Sequence, residues 1–114
     1  MQLPFAEQAV VPLEKVTAYL LNDAHPEGGG KAAFFRRVGF RVDRPSVLQA
    51  ALLRLAREVD VQEVVFEYGL KYVGVGTLDC PNGRRVRLLT VWVMRQAQPP
   101  PYFVTAYPVL MEIR

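Results

Sequence analysis

The fold is decided by the stretch Lys71-Tyr-Val-Gly-Val-Gly-Thr-Leu-Asp-Cys-Pro-Asn-Gly-Arg-Arg-Val-Arg-Leu-Leu-Thr-Val-Trp-Val-Met94. Two runs rich in β-branched residues flank Asn82-Gly83, and Asn-Gly supplies the positive φ angles of a tight hairpin turn. A two-residue turn at this position puts Gly74 and Gly76 on the face opposite to Trp92. On that face the missing side chains leave room for a helix or a ligand.

The strand pattern continues on both sides of this hairpin. Alternating apolar and polar residues, rich in Val, Tyr, Phe and Thr, are typical of strands that bury one face. They predict four strands, at Val61–Tyr68, Lys71–Cys80, Arg85–Met94 and Tyr102–Tyr107. Because these strands follow one another with short connections, we expect an antiparallel meander.

The first half of the chain has helical rather than strand periodicity. Apolar residues three and four apart predict helices at Leu13–Leu21, Lys31–Val38 and Pro45–Val59. The predicted fold class is therefore α+β, with three N-terminal helices packed on one face of a four-stranded antiparallel sheet. The length predicts a single domain over residues 1–114, with a helical half at 1–59 and a sheet at 60–114.

The composition is that of a soluble globular protein. Hydrophobic residues make up 51% of the 114 residues and charged residues 22%. No stretch approaches the roughly 20 apolar residues of a membrane helix, and Met1–Val11 has no basic region like that of a signal peptide. The single Cys80 agrees with a reducing compartment, so we expect a cytoplasmic protein that does not bind membranes. One His, one Cys and scattered acidic residues show no ligand spacing, so neither a metal nor a cofactor is expected.

A glycine-rich loop separates the first two predicted helices. It contains His25 and the run Gly28-Gly29-Gly30-Lys31. The run is not a P-loop, because that motif has glycine at the position of His25 and Ser or Thr at the position of Ala32. Free N–H groups at a helix start, next to a lysine, favour an anion site. The alternative is a flexible connector with a solvated lysine.

Acid–base chemistry has one natural candidate in this sequence. His25 is the only histidine, and the ordinary pKa of its imidazole, about 6.5, suits proton transfer near neutral pH. The alternative is a structural cap at the end of the first helix. Either role places His25 in the glycine-rich loop.

Polar residues of the predicted sheet are the other candidates. Thr90, Thr105 and Tyr107 could position a bound group, and alternation puts Phe103, Thr105 and Tyr107 on one side of the last strand. Threonine is also simply a good strand former. Trp92 and Phe103 are expected in the core.

Arginines cluster in two places, within a net charge of +3. Arg36 belongs to a basic group in the second helix, and Arg84 and Arg87 to another around the hairpin. Such groups suit phosphate or RNA binding, and the alternative is a solvated surface.

Several short motifs together resemble a bacterial domain-of-unknown-function family over nearly the whole chain. They are Leu3-Pro4, Lys15 with Tyr19-Leu-Leu-Asn22, His25-Pro26 with Gly28, Lys31-Ala-x-Phe34-Phe35, Gly39-Phe40, Tyr68-Gly69-x-Lys71-Tyr72, Gly76-Thr77-Leu78, Pro81-Asn82-Gly83-Arg84, Thr90-Val-Trp92 and Phe103-Val-Thr-Ala-Tyr-Pro108. This resemblance does not by itself supply an activity.

More distantly, the chain resembles the barnase/EndoU/colicin/RelE superfamily of metal-independent ribonucleases, in which helices precede a four-stranded antiparallel sheet. Many members are toxins that a small protein neutralises. The resemblance implies cleavage of RNA phosphodiesters by a site that combines His, Lys or Arg with Ser or Thr. The implied catalytic residues are His25, Lys31, Thr105 and Tyr107, and the implied phosphate- or RNA-binding residues are Gly28, Gly29, Gly30, Arg36, Arg84, Arg87 and Thr90.

Two other classes of function remain open at this stage. One is a non-catalytic module that binds a protein or a nucleic acid through its arginines. The other is a structural subunit that forms a homodimer through an exposed sheet edge. Function retained after His25→Ala would indicate the binding module, and binding that weakens steeply with salt would indicate a nucleic-acid partner. Size-exclusion chromatography would detect the homodimer.

Overall fold

The computed structural model describes residues 1–22, 24 and 29–109. His25 and Gly28, two of the candidate site residues, lie outside the described residues. Gly29 and Gly30 are described as the first two residues of a helix.

The arrangement of the helices differs from the expected one. The prediction of three N-terminal helices packed on one face of the sheet is wrong. Two of the α-helices, α2 at Gly29–Arg37 and α3 at Pro45–Ala56, lie in the middle of the chain rather than at its N terminus. The remaining one, α1 at Leu13–Lys15, is only three residues long and continues into a π-helix at Val16–Leu20. A 3-10 turn at Ala6–Gln8 precedes it. In the described part of the chain, no helix has the length and apolar character needed to cross a membrane.

The second half forms the antiparallel sheet, so the overall class is α+β. Its strands are β1 at Asp60–Phe66, β2 at Gly69–Asp79, β3 at Arg85–Arg95 and β4 at Tyr102–Pro108. The four strands lie in the order β1-β2-β3-β4, each antiparallel to its neighbour. Sequential order leaves β1 and β4 at the two edges.

The central hairpin has a three-residue loop instead of the two-residue turn expected from Asn82-Gly83. The N–H of Gly83 donates to the carbonyl of Cys80, and Gly83 has a φ of 87°. Proline favours the second position of a type I turn, and a left-handed residue then completes a three-residue loop. The extra residue shifts the register by one, so Gly76 pairs with Leu88 and Gly74 with Thr90. The two glycines therefore share the face of Trp92, and the prediction of the opposite face is wrong.

The core lies between this face of the sheet and the helices. Trp92 and Leu88 are completely buried there. A Cβ at Gly76 would lie 2.8 Å from Cγ of Leu55 on α3, so the missing side chain makes room for that helix. The opposite face carries half-buried valines such as Val91 and Val93, and it is the open face of the sheet.

The N-terminal arm contacts both edges of the sheet. The amino group of Met1 lies 2.8 Å from a carboxylate oxygen of Asp60, and Gln2 bridges to the same residue of β1. At the other end of the arm, Val10 forms a parallel bridge to Tyr102 on β4. The arm therefore spans from one edge strand to the other.

Candidate functional site

A lysine ammonium group surrounded by hydroxyl groups and aromatic rings lies beside β4. Nζ of Lys31 donates to Oγ1 of Thr105 at 2.9 Å and also to the hydroxyl oxygen of Tyr19. The hydroxyl groups of Tyr19 and Thr105 are themselves 2.8 Å apart. The ring centroids of Tyr19 and Tyr107 lie 4.6 and 4.4 Å from the same Nζ atom, within the range of cation–π attraction. We call Tyr19, Lys31, Thr105 and Tyr107 the lysine cluster.

An extra residue in β4 places Thr105 and Tyr107 in this cluster. Phe103 pairs with Trp92, but Thr105 pairs with Val91, so Val104 has no partner on β3. Such a β-bulge changes the face on which the following residues lie. Phe103 is consequently in the core, whereas Thr105 and Tyr107 belong to the open face. The expectation that all three share one side is wrong for this reason.

A π-helical turn supplies Tyr19. The N–H of Leu21 donates to the carbonyl of Val16, five residues earlier, at 2.8 Å. Val16 and Leu20 are completely buried, while Tyr19 between them is half-buried and extends to Thr105. Single π turns occur often at functional sites, where they reorient a side chain.

Lys15 adds a second cation next to the cluster. Its Nζ donates to the carbonyl of Val104 at 3.0 Å and lies 5.4 Å from the ring centroid of Tyr19. Lys15 and Tyr19 belong to a motif of the resembled family, but neither is among the site residues expected from the sequence. Their spacing of four residues in a helical segment, which brings two side chains together, is the signal that could have identified them.

The electrostatics of the cluster act on the Tyr19 hydroxyl group. Burial alone would raise the pKa of Tyr19. The hydrogen bonds with Lys31 and Thr105 and the positive charges of Lys31 and Lys15 outweigh burial, so the pKa of Tyr19 lies below its ordinary value. Tyr19 is therefore a stronger acid than an exposed tyrosine.

Lys31 keeps hydrogen-bonding capacity for a ligand. An ammonium group has three N–H donors, and two of them go to Tyr19 and Thr105. Among the described residues, no carboxylate forms an ion pair with Lys31. The cluster is therefore a fixed positive charge with a remaining donor, which suits an anionic ligand. Within the same part of the chain, no three His, Cys, Asp or Glu side chains are grouped as metal ligands would be.

Arg87 lies on the same face as the lysine cluster. It is two residues before Leu89, which pairs with Tyr107, and both β3 residues belong to the open face. Diagonal neighbours of this kind are roughly 7–8 Å apart, within reach of an arginine side chain. Arg87 is exposed and has no ion-pair partner among the residues that the structure describes. A ligand at Tyr107 can therefore also contact Arg87.

The other candidate arginines lie elsewhere. Arg36 is exposed near the end of α2, whereas Lys31 is near its start. Arg84 is exposed in the loop of the central hairpin.

Thr90 is completely buried, which separates it from any surface ligand. Its hydroxyl oxygen accepts a hydrogen bond from Nε1 of Trp92 at 2.9 Å, and the hydroxyl donates to the carbonyl of Gly74 at 3.3 Å. Phosphate binding by Thr90 does not fit this position, and we assign it a structural role.

The structural role of Thr90 predicts the effect of Thr90→Val. Valine matches the shape of threonine but leaves the buried N–H of Trp92 without an acceptor, which costs about 1–3 kcal/mol. We expect urea unfolding to show a decrease of this size in the free energy of unfolding, with ligand binding by the folded protein unchanged. Weaker ligand binding at unchanged stability would instead indicate that Thr90 belongs to the ligand site.

The sequence of this chain matches a known protein family. The model of a family described as a domain of unknown function, DUF6883, matches residues 2–110. The chain belongs to this family. No curated protein sequence matches it.

A solved structure has a fold similar to that of this chain. The DUF6883 chain is similar to a chain from a contact-dependent growth inhibition toxin–immunity protein complex of Klebsiella pneumoniae 342, with a TM-score of 0.68. The alignment covers 88% of the DUF6883 chain and 99% of the other, at 15% sequence identity. At this identity the similarity concerns the fold alone.

Proposed function

We propose that this DUF6883 domain is a toxin-type ribonuclease that cleaves RNA phosphodiester bonds without a metal ion. The observation that carries the proposal is the Lys31 ammonium group, fixed by the hydroxyl groups of Tyr19 and Thr105 on the open face of the sheet. Fixed positive donors can stabilise the charge that develops on a phosphorane without help from an ion. The fold shared with a chain of a toxin–immunity protein complex supports the same class.

The proposed reaction is an internal transesterification. The 2′-oxygen of a ribose attacks the adjacent phosphorus, and the bond from phosphorus to the 5′-oxygen breaks. His25 takes the proton from the 2′-hydroxyl group, and Tyr19, with its lowered pKa, gives a proton to the departing 5′-oxygen. The products are a 2′,3′-cyclic phosphate and a 5′-hydroxyl group.

The remaining residues act on the phosphate. Lys31 uses its third N–H donor and its charge to stabilise the phosphorane, and Arg87 contacts a second oxygen. Thr105 is a positioning residue, because its hydroxyl group orients both Lys31 and Tyr19. The ring of Tyr107 packs against the Lys31 ammonium group and keeps this group on the open face.

A toxin-type domain implies a neutralising partner. The structural relative is a chain of a complex between a toxin and an immunity protein. We propose that a small acidic protein binds the open face of the DUF6883 domain and covers Lys31 and Arg87. A cytoplasmic location, where both RNA and such a partner are present, remains a prediction from the sequence.

The experiment that tests the proposal is cleavage of total RNA in the presence of EDTA. We expect the wild-type domain to cleave RNA, and His25→Ala and Lys31→Ala to lose this activity. RNA that stays intact with the wild type at every pH would contradict the proposal. Binding of the intact RNA in that case would indicate the non-catalytic nucleic-acid-binding module instead.

The acidity of Tyr19 should depend on Lys31. Removing the ammonium group in Lys31→Ala takes away a hydrogen bond and a charge that both lower the pKa of Tyr19. We expect ultraviolet difference titration, with Tyr19→Phe as the reference, to show a higher Tyr19 pKa in this variant. Lys15→Ala, which removes only a more distant charge, should raise it less. An equal pKa in wild type and Lys31→Ala would rule out the coupling.

A further inference from the structure

A large groove opens on the same face of the sheet, beside the lysine cluster. Its volume is about 1120 Å³, above the range of roughly 300–1,000 Å³ typical of pockets for small ligands. The cations that line it are Lys15, Lys71 and Arg95, and no Asp or Glu lines it among the residues that the structure describes. The size and the uniform charge fit a segment of an anionic polymer better than one small molecule.

Aromatic side chains line the same groove. Tyr68 is 65% exposed and Tyr102 is 45% exposed, so both rings have accessible surface. Phe66 packs against Tyr68 at a centroid distance of 5.8 Å and also lies 5.2 Å from Nζ of Lys71. Exposed rings next to cations are the combination that binds single-stranded nucleic acids, because bases stack on the rings and phosphates contact the cations.

The position of Tyr68 is fixed by the backbone. Its carbonyl accepts a hydrogen bond from the N–H of Gln96 at 2.8 Å, which ties the β1–β2 turn to the β3–β4 turn. Gln96 and Ala97 have φ angles of 54° and 56°, a conformation that non-glycine residues rarely adopt. Backbone strain of this kind is often retained at binding sites. The two turns therefore form a preorganised wall of the groove.

The groove is continuous with the lysine cluster. Lys15 lines the groove and also lies against the ring of Tyr19, and Val104, another lining residue, directly precedes Thr105. Along β3, Val93 faces Tyr102 of the groove, and Val91 faces Thr105 of the cluster. A strand bound in the groove can thus enter the cluster after one further step along the sheet.

We propose that this groove binds the single-stranded segment of RNA next to the cleaved bond, an inference that rests on the proposed ribonuclease function. Bases of this segment stack on Tyr68 and Tyr102. Its phosphates contact Lys71 and Arg95, and Lys15 lies where the strand passes to Lys31. The domain therefore selects unpaired RNA, because a base in a duplex cannot stack on these rings.

The test is binding of a fluorescent 2′-O-methyl oligoribonucleotide, which cannot react, measured by anisotropy against salt concentration. We expect Tyr68→Leu/Tyr102→Leu to weaken binding by about 10-fold or more, while Tyr68→Phe/Tyr102→Phe, which keeps both rings, restores it. Lys71→Gln/Arg95→Gln should lower the slope of log affinity against log salt by roughly 1.4, for two lost phosphate contacts. Thermal unfolding of each variant checks that it is folded.

A matched control loses the same charge outside the groove. Arg44→Gln/Arg57→Gln removes two exposed arginines that do not line it, and we expect its salt slope to equal that of the wild type. The inference would be overturned if Arg44→Gln/Arg57→Gln lowered the salt slope as much as Lys71→Gln/Arg95→Gln does. Unchanged affinity of Tyr68→Leu/Tyr102→Leu, or equally tight binding of duplex RNA, would also overturn it.

The same experiments separate the two proposals. If the wild type cleaves RNA and the groove variants bind and cleave as well as it does, the groove inference fails and the ribonuclease stands. If the oligonucleotide binds through the groove but total RNA stays intact, the ribonuclease fails and the groove stands as a site for single-stranded RNA.

Discussion

Lys31→Ala is expected to reduce the single-turnover rate of RNA cleavage by about 100- to 1,000-fold, the usual effect of removing one donor that stabilises a developing negative charge. The reason is that Lys31 is the only cation whose ammonium group contacts both Tyr19 and Thr105 among the described residues. The variant loses the charge and also the orientation of the two hydroxyl groups. Its affinity for the non-reactive oligonucleotide should change much less, because the groove residues stay in place.

Two matched variants make this prediction specific. Lys31→Arg keeps the charge but changes its shape, so it should recover only part of the rate. Arg57→Ala removes an exposed cation at the end of α3 and should leave the rate unchanged. If Lys31→Ala and Arg57→Ala cleave RNA equally fast, Lys31 is a structural residue and the lysine cluster is not the active site.

Trp92→Ala is expected to have the largest effect on stability, a loss of about 3–5 kcal/mol in the free energy of unfolding. Trp92 is completely buried, and its ring packs edge-to-face on Phe103 at a centroid distance of 5.4 Å. Its N–H also donates to Thr90. The substitution therefore opens a cavity and removes a buried hydrogen bond at the centre of the sheet.

Chemical unfolding of the variant measures this loss. Val65→Ala is the control, since Val65 is 77% exposed on β1 and its truncation should change stability by less than about 0.5 kcal/mol. Equal unfolding midpoints for Trp92→Ala and Val65→Ala would show that the core is not organised around Trp92.

Much of the sheet can be predicted from local sequence. Alternation in β3 and the turn chemistry of Asn82-Gly83 identify a hairpin, because strand periodicity and turn propensity are properties of short segments. The observed register differs by one residue from the expected one, since Pro81 favours a three-residue loop that the Asn-Gly pair alone does not indicate. That single residue changes which face carries Gly74 and Gly76.

The candidate site was only partly accessible from sequence for a related reason. Lys31, Thr105 and Tyr107 were selected by residue type, but their proximity depends on the extra residue Val104 in β4, which no local pattern marks. The position of Tyr19 depends on a π turn, in which Val16 and Leu20 are buried. Bulges and π turns follow from tertiary packing, so they appear only when the whole chain is placed.

The most direct test of the ribonuclease proposal is the chemistry of the cleaved ends. We would treat a short RNA with the wild-type domain in EDTA and determine the product masses, using the same RNA with one 2′-deoxy nucleotide at the cleaved position as the control. The proposal predicts a 2′,3′-cyclic phosphate on one product, a 5′-hydroxyl group on the other, and an intact control RNA. Cleavage of the 2′-deoxy control, or products that carry a 5′-phosphate, would contradict it.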